Sequence, residues 1–203
     1  MDTYLTIKEK AEAQLTEKRS RFLAFAFHVA DEDEAKSIVA SFRKKYYDAR
    51  HVCYAYVLGN EGGQTRANDD GEPSGTAGRP ILGQIVSRGL TYTLVLVVRY
   101  FGGVKLGTGP LGVAYKTVAA LALDTAEVTE CVVKCSFRIS VPYTEADTAM
   151  RFVREAGAQF TNEEYTAAEV IMTITCRLDG CAALKTRMAK IHTLRFIEPQ
   201  ATS

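Results

Sequence analysis

The sequence predicts an α+β chain of two domains, with boundaries at 1–129 and 130–203, and three observations predict it. Residues 94–98 form an uninterrupted, valine-rich apolar run, which reads as a strand buried on both faces. A glycine-dense turn (Gly102, Gly103, Gly107, Gly109) follows, and then Leu111, Ala114, Val118, Leu121 and Ala122 fall at helical spacing. After residue 130 the pattern restarts as β-α-β-β-α-β, the ferredoxin-like order.

Taken in order, Ile7, Glu9, Ala11, Ala13 and Leu15 alternate loosely and predict a first strand. Glu17-Lys18-Arg19-Ser20 reads as a charged turn, and Leu23, Phe25, Phe27 and Val29 share one face of the next strand. Asp31 and Glu34 resemble a capping box for a helix whose stripe is Ala35, Ile38, Val39, Phe42 and Tyr46. Arg43, Lys44 and Lys45 end that helix where the dipole favours positive charge, and they read as a solvated face. Val52, Tyr54, Tyr56 and Leu58 mark a further strand. Residues 59–78 then lack apolar periodicity and read as one long loop, dense in turn formers. A short helix begins near Arg79-Pro80 and ends at Gly89. The central strand and glycine turn come next, with Pro110 expected at the first helical position and the helix fading over 124–130. In the second domain, strands are expected at 133–141, 159–165, 169–176 and 193–197, and helices at 143–157 and 179–191.

Composition narrows the function classes. The 203 residues are 47% hydrophobic and 24% charged, which is ordinary for a globular chain. A net charge of +1 gives no overall nucleic-acid footprint, though a local patch remains open. No run is long and apolar enough to span a bilayer, and the N-terminus lacks a signal-peptide core. The five cysteines are odd in number and form no CxxC, so reduced thiols and a cytoplasmic setting are expected. Gly102, Gly107 and Thr108 mimic the spacing of a phosphate loop, but Thr108 stands where that motif needs lysine. The glycines alone are better explained by packing and positive-φ turns.

Four blocks in one order carry a family resemblance: EKRSRF at 17–22, ARHVCYAY at 49–56, DDGEPSGTAGRP at 69–80 and VVRYFGGVKLGTGPLGVAY at 97–115. Together they resemble the YigZ/IMPACT family, and the trailing β-α-β-β-α-β unit resembles the second domain of its bacterial members. The resemblance implies a ribosomal-protein-S5 domain-2-like first domain and a ferredoxin-like second domain, similar to the last domain of translocation factor G. Eukaryotic members restrain the starvation-sensing kinase of translation initiation, partly through an additional N-terminal domain. The family pattern has glycine where this chain has Pro110.

The candidate binding residues are Arg50, His51, Asp69, Asp70, Glu72, Arg99, Tyr100 and Lys105. Arg50, Arg99 and Lys105 suggest a positive surface beside a helix N-terminus, suited to phosphate oxygens. Tyr54, Tyr56, Tyr100 and Phe101 offer stacking surfaces for unpaired bases, or they simply pack. Asp69, Asp70 and Glu72 either cluster for Mg²⁺ or cap turns and pair with arginines. A Ser74–His51–Asp70 triad lacks its surrounding motif. No catalytic residue, metal site or cofactor is assigned. The function expected is a non-enzymatic, translation-associated binding protein, with RNA, the ribosome or a regulatory protein as partner and no membrane. The alternative is a metal-dependent enzyme acting on a nucleotide or other phosphorylated small molecule.

Overall fold

The structure, a computed structural model, describes residues 2–197. The chain divides into two compact units, Thr3–Cys131 and a second beginning at Val132.

The first unit is built on five strands in the order β2-β3-β6-β4-β5, with every neighbouring pair antiparallel. These are β2 (Ala11–Glu17), β3 (Ser20–His28), β4 (His51–Leu58), β5 (Gln64–Asn68) and β6 (Thr93–Tyr100). Helices lie on both faces. Ile81 and Ile85 of α2 (Gly78–Ser87) and Leu111, Ala114, Tyr115 and Val118 of α3 (Thr108–Asp124) pack with Phe22, Cys53, Val95 and Val97. Ala35, Val39 and Phe42 of α1 (Glu32–Lys45) cover the other face with Phe25, Tyr56, Leu94, Leu96 and Val98. That explains the unbroken apolar run: β6 is the middle strand, and alternate side chains from Leu94 to Val98 enter opposite cores, all fully buried.

Several expectations are corrected. The loose alternation at the N-terminus is two strands, β1 (Thr3–Ile7) and β2, not one. β1 pairs instead with β7 (Val128–Val132), a strand that lies where the end of a helix was expected. The stretch 59–78 is not a single loop, because β5 pairs along β4 from Leu58↔Gln64 to Tyr54↔Asn68. Its residues are almost all exposed, so no periodicity marks it. Helix α3 starts at Thr108 after the N-cap Gly107 (φ 83°), which puts Pro110 at its third position, still within the first turn.

Two local features fix the end of the sheet where the site lies. Lys18 and Arg19 link β2 to β3 as a two-residue turn, both with positive φ, closed by Glu17↔Ser20. Gly102 sits directly against this turn: an added Cβ would lie 2.1 Å from the Arg19 carbonyl carbon. On α1, Asp31 accepts from the Glu34 N–H (2.8 Å), and Glu34 accepts from the Ala30 N–H (2.7 Å), one residue earlier than in the usual capping box.

The second unit comprises β8 (Lys134–Pro142), α4 (Tyr143–Glu155), β9 (Gln159–Tyr165), β10 (Glu169–Arg177), α5 (Leu178–Met188) and β11 (Arg195–Ile197). Its sheet order is β11-β8-β10-β9, antiparallel throughout. Both helices share one core with it, through residues such as Ile139, Ala149, Val153, Ile174, Leu184 and Met188. Cys135 and Cys181, expected as reduced thiols, are joined by a disulfide across this core, while Cys53, Cys131 and Cys176 are free.

Candidate functional site

Strand register builds the site. Arg99 is the Cα partner of Phe22 on β3 and of His51 on β4, so these three side chains form one row across the sheet. Alternation along β6 puts Arg99 on the face of Val95 and Val97, beneath α3, and Tyr100 on the opposite face. Beyond the row lies a cleft of about 330 Å³, lined by Arg50, His51, Glu72, Arg99, Phe101 and Lys105 together with Pro73, Leu106, Gly107, Thr108 and Leu111.

At its wall Arg99 is 5% exposed and Glu72 8%. The sequence places Arg99 on a positive surface with Arg50 and Lys105; it is instead a buried partner of Glu72, with Nη1 donating to Oε1 at 2.5 Å. The Tyr115 hydroxyl donates to the same oxygen at 2.8 Å. Arg99 Nη2 reaches Ser20 Oγ at 3.4 Å, and the guanidinium stands 5.4 Å from the Phe22 ring centroid. Among the described residues Arg99 Nε has no hydrogen-bond partner. His51 Nδ1 lies 2.7 Å from the Asp70 carbonyl oxygen, which can only accept, so Nδ1 carries the proton. Nε2 then faces Glu72 Oε2 at 3.7 Å. Arg50 and Lys105 are exposed at the rim. The start of α3 forms the remaining side: Gly107 provides no side-chain cap, the Thr108 and Gly109 N–H groups belong to the first turn and have no intrahelical acceptor, and Pro110 has no N–H.

Of the eight candidates, the cleft gathers Arg50, His51, Glu72, Arg99 and Lys105. The other three lie outside its lining. Asp69 accepts from the N–H groups of Gly75 (2.8 Å), Ala77 (2.9 Å) and Gly78 (2.8 Å), so it caps α2, whose own N-cap Ala77 has no side chain to do so. Burial pushes the Asp69 carboxyl up, but those N–H donors, helped by Arg79, outweigh it and hold the group below the usual carboxylate range. Asp70 accepts from the Val52 N–H (2.6 Å) and pairs with Arg43 (2.6 Å), so Arg43 is not simply solvated. Tyr100 donates to Asp48 at 3.0 Å, under the Arg21 guanidinium. The three acids therefore have separate duties, and among the described residues no three His, Cys, Asp or Glu side chains assemble to hold a metal.

Sequence reasoning missed Tyr115, Ser20 and Cys53. Tyr115 falls four residues after Leu111 on the buried stripe of α3, and that spacing was the available signal. Cys53 donates to the Asp69 carbonyl (3.0 Å) and lies 3.3 Å from the Tyr115 hydroxyl. Burial pushes its thiol far up; the Tyr115 hydrogen bond opposes this, and the charges of Glu72, Asp70 and Asp69 add to it. Burial likewise raises Tyr115, so the network runs from a neutral thiol through a neutral phenol to a paired carboxylate.

Fold and cleft define a class: a two-unit α+β protein whose first unit opens a cation-rimmed cleft at one end of an antiparallel sheet. The Impact N-terminal domain matches residues 18–123, and a domain of unknown function, DUF1949, matches residues 139–191. The chain belongs to the YigZ/IMPACT family. It is 37% identical to the IMPACT family member YvyE of Bacillus subtilis over 83% of this chain and 77% of that protein. It is 34% identical to the IMPACT family member YigZ of Escherichia coli over 74% of each. A crystal structure described as that of a hypothetical protein aligns over 100% of both chains, with a TM-score of 0.75 and 28% identity.

Proposed function

We propose that this protein is a non-enzymatic, translation-associated binding protein whose N-terminal unit contacts RNA, free or on the ribosome, through the cleft. The observation that carries this is the balance of charge there. Arg50 and Lys105 face the cleft beside the start of α3, and the one acid in its lining, Glu72, is already bound by Arg99 and Tyr115. Family membership supports the translational setting, because the eukaryotic members restrain a kinase of translation initiation. The reading sets the protein in the cytoplasm and leaves room for a regulatory protein partner. It also keeps the two fold names implied by the resemblance: S5 domain-2-like for the first unit, and ferredoxin-like for the second, which the order β11-β8-β10-β9 supports. The enzymatic alternative asks Asp69, Asp70 and Glu72 to share a metal, and their carboxylates are engaged elsewhere.

Co-sedimentation with ribosomes and with purified RNA tests it. Arg50→Ala and Lys105→Ala, both exposed, should each weaken association and lower the slope of log K against log salt by about 0.7–0.9. Association unchanged by both substitutions refutes the reading.

A further inference from the structure

Building on the RNA-contact reading, we propose that the cleft is a pocket for one unpaired nucleotide: the base stacks on Phe101, and the phosphate meets Arg50, Lys105 and the first turn of α3. A surface made only for a phosphate backbone needs cations and donors. This cleft has those, but Pro73, Phe101, Leu106 and Leu111 add apolar surface to its lining. Phe101 leaves 46% of its surface exposed at the end of β6, a large apolar ring with room for a flat partner. The volume of about 330 Å³ lies at the small end of the range for ligand pockets, which suits one nucleotide and not a helical groove.

One further observation favours a ligand. The Arg99 guanidinium stands 5.8 Å from the Phe101 ring centroid and backs that ring from the wall of the cleft. Glu72 is held by Arg99 and Tyr115, so the acid in the lining does not repel an incoming phosphate. A phosphoserine peptide would use the cationic rim alike, but it offers no planar group for Phe101.

Fluorescence anisotropy with a labelled single-stranded octaribonucleotide and a blunt-ended RNA duplex decides it, with adenosine monophosphate, inorganic phosphate and a phosphoserine peptide as competitors. The single strand should bind at least about tenfold tighter than the duplex. Phe101→Ala should weaken the single strand about 5- to 150-fold and leave the duplex unchanged, while Lys105→Ala should weaken both. Phe101→Leu keeps apolar bulk without the ring and must behave like Phe101→Ala. Thermal unfolding confirms that each variant is folded. Adenosine monophosphate should compete better than inorganic phosphate. Equal affinity for strand and duplex with both Phe101 variants silent overturns the pocket while leaving the RNA contact intact. Stronger competition by the phosphopeptide than by adenosine monophosphate also overturns it. If the wild type binds neither RNA nor ribosomes, yet adenosine monophosphate saturates one Phe101-dependent site, the translational reading fails and the nucleotide pocket stands.

Discussion

Replacing Glu72 by alanine would strand a guanidinium inside the first unit. The Glu72 and Arg99 side chains are 4% and 6% exposed and meet at 2.5 Å. Removing one partner of such a pair leaves an uncompensated buried charge and costs about 3–5 kcal/mol. Loss of the acceptor for the Tyr115 hydroxyl falls within that range, since an unsatisfied buried donor costs about 1–3 kcal/mol and the terms share one site. The double variant Glu72→Leu with Arg99→Met removes both charges and should recover most of the loss, because apolar replacement of a whole buried pair is often neutral. The assay is a urea titration read by hydrogen exchange on peptides from β3 and β6, which reports the first unit separately from the second. A loss below about 1 kcal/mol for Glu72→Ala, or a double variant no more stable than the single, would refute the pairing. Arg99 would then have to be counted as a cation facing the ligand.

Asp69 gives a pH dependence. Its carboxyl titrates lower in the folded chain than in the unfolded one, so its contribution is complete above about pH 4 and fades as the pH falls through the folded value. Acid titration of the first unit should show this, and Asp69→Asn should flatten it; at neutral pH Asp69→Ala should cost about 2–3 kcal/mol, measured by urea unfolding. Gly102→Ala would drive a methyl to within 2.2 Å of the Arg19 carbonyl oxygen, so a loss of about 3 kcal/mol or more is expected, with faster exchange in the β2–β3 hairpin. Cys53, buried and held as a neutral thiol, should resist iodoacetamide at pH 8 in the folded chain, whereas half-buried Cys131 is alkylated first; peptide mass spectrometry reads both.

Much of the fold was legible where one physical demand dominates the sequence. Residues 94–98 are apolar without a break because both faces of β6 are covered, and the second unit's elements emerged in order because each buries one face. β5 was not legible, since an edge strand with almost every residue exposed has no apolar face to betray it. The Cys135–Cys181 link joins residues 46 apart, and nothing in that spacing announces it. The site was half legible. The eight polar residues could be picked out, but sorting them needed the register: period-two alternation along β6 already separates Arg99 from Tyr100, yet only the strand pairing puts Arg99 beside His51. In sequence Asp69 could either cap a turn or join a metal cluster, and only the amides of residues 75, 77 and 78 folding back onto it decide for the cap.

The Asp70 contacts bear on how any salt titration of this protein is read. One carboxylate holds the first amide of β4 after His51 and the last turn of α1, while the same residue's carbonyl aims the imidazole into the cleft. The Arg43 end of that clamp is 45% exposed, so added salt screens it. Ionic strength therefore acts twice: on the attraction between cleft and polyanion, and on the brace that steadies one wall of the cleft. Arg43→Gln, which cuts the brace without touching the lining, separates the intramolecular share of the salt slope from the counterions released by the nucleic acid.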